Sequence, residues 1–238
     1  MKSNINHIFF DLDNTLWDFD TNSRQVLKDL FFEFNLESRC GVNIENFTRE
    51  YEKINAKLWA QLRAGEISKE QLRSSRFYNS MQSFGFDDYE LGYKMELEYV
   101  KRSPYQKNLL PGTLQVLENL KKHYQLHIIT NGFKEVQYIK LENCGLKFFF
   151  NHIIISEEVG YSKPHEAIFQ TAMMKAGAHP EESVMIGDDK ETDVKGALNA
   201  GMRAIHINIH QKETNAANYL QVNNLFELEK ILLQKANP

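Results

Sequence analysis

The sequence predicts an α/β protein: a doubly wound parallel sheet with a helical domain inserted into it. Two observations lead to this prediction. In the C-terminal part of the chain, short apolar runs alternate with helical stretches, the order typical of parallel strands joined by right-handed crossovers. Another apolar run, residues 5–10, is separated from the others by a long segment that reads as helix. We therefore predict an α/β core of residues 1–16 and 105–238, and a helical domain of residues 17–104.

Turn signals divide the inserted segment, residues 21–103, into four predicted helices. These signals are Cys40-Gly41, Gly65 and the run Gly85-Phe86-Asp87-Asp88. Ser68 is followed by Gln71 three residues later, which is the spacing of a capping box at the start of a helix. Four helices with short connections predict a bundle.

The remaining chain, after Pro104, predicts the other strands and helices of the core. Strands are expected at 125–130, 152–156, 183–187 and 203–208. Helices are expected at 113–122, after Gly132, from Pro164 to Ala176, before Gly201 and at 224–235. In such a core, ligands bind beyond the carboxyl ends of the strands.

Composition bounds the setting in which the protein works. The net charge of −4 and the isoelectric point near 6.1 give no general attraction to nucleic acid or to anionic membranes. No apolar run approaches the roughly 20 residues needed to span a bilayer, and the N-terminus lacks a signal-like apolar core. Two cysteines in 238 residues indicate a reducing compartment. We expect a soluble cytoplasmic protein that binds neither a nucleic-acid polymer nor a membrane.

Acids and hydrogen-bond donors follow several of the predicted strands. Because the carboxyl ends of parallel strands meet at one edge of a sheet, these groups are expected to converge despite their separation in sequence. They are Asp11, Asp13, Thr130, Lys163, Asp188, Asp189 and Asp193.

Such a convergence has a definite chemical meaning. Carboxylates gathered at one place repel one another and need a cation, and oxygen ligands without His or Cys suit Mg²⁺. The Lys163 ammonium and the Thr130 hydroxyl can donate to phosphate oxygens. Backbone N–H groups after Asp11 and after Thr130 supply further donors, and these belong to Leu12, Asp13, Asn131 and Gly132. The expected chemistry is phosphoryl transfer.

The two acids of the first motif can divide the work. On a continuing strand, side chains two residues apart face the same side. Asp11, which lies nearer the strand, is the expected nucleophile and would form an aspartyl phosphate. Asp13 is the expected general acid, which protonates the leaving oxygen and then takes a proton from water.

Four sequence motifs carry a resemblance to a known family. The segments "DLDNT", "ITNG", "SKP" and "IGDDKETD", in this order, resemble the four motifs of the haloacid dehalogenase-like (HAD) hydrolase superfamily. The resemblance implies a Rossmann-like core with a helical cap that closes over the cleft. It also implies that Asp11 is the nucleophile, that Asp13 is the acid and base, and that Thr130 and Lys163 hold the phosphoryl group.

The same resemblance implies a Mg²⁺ site. Its ligands would be the carboxylates of Asp11 and Asp188 and the backbone carbonyl of Asp13. Asp193 and Asp189 would support the site from outside the ligand set. The dehalogenating members of the superfamily lack an acid at the position of Asp13, so the resemblance favours hydrolysis of phosphate esters.

A narrower resemblance concerns the substrate. The segments "FFDLDNTLWDFD", "ITNGF", "ISEEVGYSKP" and "LWAQLRAGEIS" are similar to the pyrimidine 5′-nucleotidases of this superfamily. This implies a small phosphate ester as partner, namely a nucleoside monophosphate. Monomer and homodimer both stay open.

Other interpretations remain at this point. One alternative is a phosphatase or phosphomutase for sugar phosphates or phosphoglycolate, and another is a non-catalytic module that binds a phospholigand or a protein. Taken singly, the Asp11-Asp13 and Thr130-Asn131 pairs also fit turns or helix caps. Arg63 and Arg76 are expected to be exposed helix charges.

Overall fold

The computed structural model describes residues 5–209 and 219–236. The chain divides into two compact units. One unit comprises Met1–Phe19 and Lys107–Pro238, and the other comprises Asp20–Gln106. The first contains the sheet and the second contains helices.

A parallel sheet forms the centre of the first unit, as the sequence predicts. Its six strands lie in the order β3-β2-β1-β4-β5-β6, and all neighbouring pairs are parallel. The strands are β1 His7–Phe10, β2 Gln125–Thr130, β3 His152–Ile155, β4 Ser183–Gly187, β5 Arg203–Ile207 and β6 Leu220–Val222. The short edge strand β6 is an addition to the predicted set.

Strand β1 lies in the interior of the sheet, between β2 and β4, and all four of its side chains are buried. Ile8 and Phe10 face one core cluster, and Phe9 faces another on the opposite side of the sheet. Burial on both faces is typical of parallel strands covered by helices. Neighbouring strands β2 and β4 are in register with β1, so that Phe10 is paired with Ile128 and Ile186. The residues that follow these strands therefore emerge at the same edge.

Helices cover both faces of this sheet. Apolar residues of α6 and α11 pack on the face of Ile8, and those of α9 and α10 pack on the face of Phe9. The helices of this unit are α6 Thr113–Leu120, α7 Lys134–Asn143, α8 Ser156–Val159, α9 Glu166–Ala176, α10 Gly196–Asn199 and α11 Leu225–Ala236. A π-helical turn, Lys190–Lys195, precedes α10.

The second unit is helical throughout its regular elements. Its helices are α1 Phe19–Glu33, α2 Leu36–Cys40, α3 Ile44–Arg63, α4 Lys69–Gln82 and α5 Tyr89–Arg102. The capping box at Ser68 is confirmed: its hydroxyl accepts from Gln71 N–H, and the Gln71 side chain accepts from Ser68 N–H. Four longer helices and the short α2 enclose one apolar cluster.

Arg76 differs from its expected position as an exposed charge. Its side chain is buried in the helical unit, and Nε and Nη2 donate to Glu96 at 2.6 and 2.8 Å. The guanidinium also lies over the ring of Tyr99. Sequence periodicity alone does not show that the buried carboxylate of Glu96, on the next helix, pairs with this arginine.

Among the described residues, the helices fall short of the length and apolar character needed to cross a bilayer.

Candidate active site

Asp11 is held at the carboxyl edge of the sheet by its own backbone. Its N–H donates to the carbonyl of Ile186 at 2.9 Å, so the pairing of β1 with β4 sets its position. The chain then turns, because the carbonyl of Leu12 accepts from the N–H groups of Leu16 and Trp17 at 3.0 and 2.9 Å. The side chains of all three turn residues are buried, which anchors the turn in the core.

This turn changes the expected relation between Asp11 and Asp13. The strand ends before them, and Asn14 adopts a left-handed conformation with φ 56°. The two carboxyl groups therefore do not lie on a continuing strand. Asp11 keeps 10% of its side-chain surface exposed and Asp13 keeps 29%, so Asp13 is the acid more open to solvent.

Lys163 forms ion pairs with two acids that lie far from it in sequence. Its Nζ is 2.6 Å from Asp11 Oδ1 and 2.6 Å from Asp193 Oδ1, and the lysine side chain is buried. Burial alone would lower the pKa of Lys163, but the carboxylates of Asp11 and Asp193 outweigh it and raise the pKa. The residue therefore stays a cation.

Asp11, Asp188 and Asp193 form a carboxylate cluster. Each offers one oxygen, and these oxygens lie within 4.8 Å of one another. Burial raises the pKa of Asp11 to about 7; Lys163 opposes this shift, and the other acids add to it. Burial and the charges of Asp11 and Asp193 raise the pKa of Asp188 to about 9. Lys163 thus neutralises only part of the negative charge, and an oxygen-binding divalent cation fits the cluster.

Asp189 and Asp193 lie at the start of the π-helical turn that follows β4 and are bound to each other. Asp189 accepts at Oδ1 from the N–H groups of Glu191 and Thr192, at 2.8 and 2.9 Å, and so caps the π-helical turn. Its own N–H donates to Asp193 Oδ2 at 3.1 Å. Asp193 is therefore held by Asp189 and paired with Lys163, whereas the Asp189 carboxylate faces backbone donors.

Asn131 and Gly132, which follow β2, form hydrogen bonds within the protein that the sequence does not predict. The amide of Asn131 binds the backbone of Lys163 twice: Oδ1 accepts from its N–H at 2.8 Å, and Nδ2 donates to its carbonyl at 2.9 Å. Gly132 N–H donates to Thr130 Oγ1 at 3.3 Å. Neither Thr130 nor Asn131 caps α7, because the N-cap residue is Phe133, and Lys134 N–H donates to Glu157 Oε2 at 2.8 Å. Asn131 thus connects the second motif to the loop that carries Lys163.

Two residues that contact Asp13, Gln137 and Lys140, were not predicted from the sequence. Lys140 Nζ donates to Asp13 Oδ1 at 2.6 Å, and Gln137 Nε2 donates to Asp13 Oδ2 at 2.9 Å. Both side chains are buried on α7. The signal in the sequence is their spacing of three residues on the face that also buries Leu141, where a lysine is unusual.

His206 supports the fourth motif from β5. Its Nε2 lies 2.9 Å from the carbonyl oxygen of Asp188, so this nitrogen carries the proton and donates it. Its Nδ1 lies 3.1 Å from the Gln221 side chain. A buried imidazole thereby fixes the backbone that presents the Asp188 carboxylate.

Every predicted site residue therefore lies at one rim of the sheet or in the loops that follow it. A family model of haloacid dehalogenase-like hydrolases matches residues 5–201 of the chain. The chain belongs to this family. In this HAD-like hydrolase the matched region extends from the strand before Asp11 past Asp193, so it includes all of the acids described above.

Two curated proteins are similar to this HAD-like hydrolase over most of their length. Pyrimidine 5′-nucleotidase YjjG of Escherichia coli (strain K12) is 34% identical over 229 residues, which are 94% of this chain and 96% of that protein. Pyrimidine 5′-nucleotidase PynA of Streptococcus pneumoniae (strain ATCC BAA-255 / R6) is 31% identical over 210 residues, or 87% of this chain and 86% of that protein.

A solved structure is similar as well. The HAD-hydrolase YfnB from Bacillus subtilis, crystallised with magnesium, superposes with a TM-score of 0.84 at 26% sequence identity. The alignment covers 96% of this chain and 99% of that chain. The predicted fold is thereby confirmed.

Proposed function

We propose that this protein is a Mg²⁺-dependent phosphatase that hydrolyses phosphate monoesters through a covalent intermediate on Asp11. One observation carries the proposal: at the carboxyl edge of the sheet, Asp11 pairs with the buried Lys163 and shares a carboxylate cluster with Asp188 and Asp193. A nucleophilic oxygen, a buried cation and a set of oxygen ligands are the groups that phosphoryl transfer requires.

In the first step, the phosphoryl group is bound and attacked. The ammonium of Lys163 and the hydroxyl of Thr130 donate to its oxygens, together with backbone N–H groups after Asp11. A carboxylate oxygen of Asp11 forms a bond to phosphorus, and the bond from phosphorus to the leaving oxygen breaks. Asp13 donates its proton to that oxygen, so the product leaves as a neutral alcohol.

In the second step, water releases the phosphate. Asp13, now ionised, takes a proton from water, and the water oxygen attacks phosphorus. The phosphorus–oxygen bond to Asp11 breaks, which restores the free carboxylate and leaves Asp13 protonated for the next cycle. Asp13 can serve both steps because it is the more exposed acid of the pair.

The donor set near Asp11 fits Mg²⁺. We assign its protein ligands to the carboxylates of Asp11 and Asp188 and to the backbone carbonyl of Asp13, with Asp193 and Asp189 as supports. When bound, the cation neutralises the carboxylates and the charge that develops on the phosphoryl oxygens.

For the substrate, we propose a nucleoside monophosphate, with pyrimidine nucleotides preferred. Support comes from the two relatives named pyrimidine 5′-nucleotidases, whose similarity extends over the helical unit and the core together.

A phosphate-release assay with Mg²⁺ tests both levels of the proposal. We expect kcat/KM for pyrimidine nucleoside monophosphates to exceed that for sugar phosphates and phosphoglycolate, and Asp11→Asn to abolish turnover. Full activity in Asp11→Asn would overturn the assigned nucleophile. Preference for a sugar phosphate would overturn the substrate class and leave the phosphatase chemistry standing.

A further inference from the structure

Helix α7 carries two buried polar side chains that the proposed chemistry leaves without a role. Gln137 and Lys140 are three residues apart and therefore point to the same side of the helix. Both are almost inaccessible to solvent. Burying a lysine is costly unless its charge is paired, so its position calls for an explanation.

Together the two side chains hold both oxygens of Asp13. Lys140 Nζ lies 2.6 Å from Oδ1, and Gln137 Nε2 lies 2.9 Å from Oδ2. With a separate donor on each oxygen, rotation of the carboxyl group breaks at least one hydrogen bond. Lys140 is itself fixed, since its Nζ lies 4.1 Å from the centre of the Trp17 ring in a cation–π contact.

Gln137 also determines which way the Thr130 hydroxyl can donate. Its Nε2 donates to Thr130 Oγ1 at 2.6 Å, and Gly132 N–H donates to the same oxygen at 3.3 Å. A hydroxyl accepts through two lone pairs and donates through one hydrogen. With both lone pairs occupied, the remaining hydrogen of Thr130 is available to an acceptor such as a phosphate oxygen.

Gly132 leaves the space that Gln137 occupies. A Cβ atom on Gly132 would lie 2.2 Å from Gln137 Nε2 and 2.4 Å from its Cδ. The backbone of Gly132 is not in the left-handed region, so its lack of a side chain serves close packing. The second motif therefore needs a glycine at position 132, because any larger residue would collide with the Gln137 side chain.

We propose that Gln137 and Lys140 are positioning residues, which aim Asp13 at the leaving oxygen and the Thr130 hydroxyl at the phosphoryl group. This inference rests on the proposed phosphatase function. Lys140 orients Asp13 alone. Gln137 orients both Asp13 and the Thr130 hydroxyl that donates to the phosphoryl group.

Substrates with different leaving groups distinguish a positioning role of Lys140 and Gln137 from a purely structural one. A 5′-nucleotide releases an alcohol whose oxygen must be protonated, whereas p-nitrophenyl phosphate releases a stable phenolate that needs little help from an acid. The value of kcat/KM covers the steps through departure of the leaving group. We therefore compare kcat/KM for uridine 5′-monophosphate and p-nitrophenyl phosphate in each variant.

For Lys140→Met, we expect kcat/KM for the nucleotide to fall about tenfold to hundredfold, because a misaimed acid loses much of its effect. The value for the aryl ester should change far less. Lys140→Arg keeps the charge and should recover part of the loss. Gln137→Leu should in addition raise KM for both substrates, because the Thr130 hydroxyl loses its orientation.

Lys134→Met is the matched control on the same helix. Lys134 is exposed, and its Nζ pairs with Glu158 at 2.9 Å, away from Asp13. We expect it to leave both kcat/KM values unchanged. Thermal unfolding of each variant shows whether the fold is kept, and Lys140→Gln replaces Lys140→Met should that variant not fold.

Equal losses on both substrates in the Lys140 variants would overturn the inference. In that case wild-type activity and an inactive Asp11→Asn would show that the phosphatase proposal survives. A wild-type protein without activity on any phosphate ester would instead refute the proposed function itself.

Discussion

Gly187 and Asp193 are so close that a Cβ atom on Gly187 would lie 2.1 Å from Asp193 Oδ2. Asp193 cannot move aside freely, because its other oxygen pairs with Lys163 and Oδ2 accepts from Asp189 N–H. Position 187 must therefore be glycine, because the Asp193 carboxylate leaves no space for a side chain there. The same relation joins Gly132 to Gln137, so glycines in two motifs make room for polar side chains.

Gly187→Ala should therefore displace Asp193 and, through it, Lys163. We expect the free energy of unfolding to fall by about 1–3 kcal/mol through overpacking. We also expect kcat to fall by about a hundredfold, since Lys163 would no longer be held against Asp11. Urea unfolding and a phosphate-release assay measure the two effects. Gly177→Ala is the control: its φ is 63°, nothing lies within 4 Å of the added Cβ, and it should lose stability only.

Mg²⁺ should stabilise the wild-type protein against thermal unfolding, because it binds the native carboxylate cluster. Asp188→Asn should abolish this increase in Tm. Without metal, the variant should be at least as stable as wild type, because it removes one of three acids that repel one another. A Tm that rises equally in both proteins would contradict the assignment of Asp188 as a ligand.

Much of the fold follows from the sequence because its signals are local. The apolar runs at 125–130 and 183–187 match the observed strands, and Ser68 caps its helix as its spacing with Gln71 predicts. The edge strand β6 escaped prediction. It has three residues, and only Val222 of these is buried, so it carries no run of apolar residues to recognise.

The acids of the site could be found from their place after strands, but their partners could not. The contact of Lys140 with Asp13 joins residues 127 positions apart. Spacing cannot reveal such a contact unless the register of β1 and β2 and the direction of α7 are known. A turn is one interpretation of the Asp11-Asp13 pair in the sequence, but its geometry could not be predicted, since Asn14 gives only a weak local signal for the left-handed region.

His127 should make the stability of the protein depend on pH. It is fully buried, and this burial, with the neighbouring imidazoles of His7 and His152, lowers its pKa to about 3 from 6.5. Below pH 6.5 the unfolded chain binds a proton there and the folded chain does not. The free energy of unfolding therefore falls as pH falls from 6.5 towards 3.

His127→Phe should lose this dependence. Between pH 7.5 and 5.5, wild type should lose about 1.4 kcal/mol more than the variant in urea unfolding. Taking the difference between the two proteins cancels the titration of the acids around Asp11. His123→Gln, at an exposed position, is the control and should follow wild type. Parallel pH profiles for wild type and His127→Phe would contradict the prediction.

Arg76 and Glu96 should be strongly coupled in the stability of the helical unit. Arg76→Leu leaves the Glu96 carboxylate buried without its two guanidinium hydrogen bonds. We expect the free energy of unfolding to fall by about 3–5 kcal/mol, the usual cost of an uncompensated buried charge. The double variant Arg76→Leu, Glu96→Leu should regain most of this loss, because it removes the second charge together with the first. Urea unfolding of the two single variants and the double variant yields the coupling energy, and additive losses would show that the two side chains act independently.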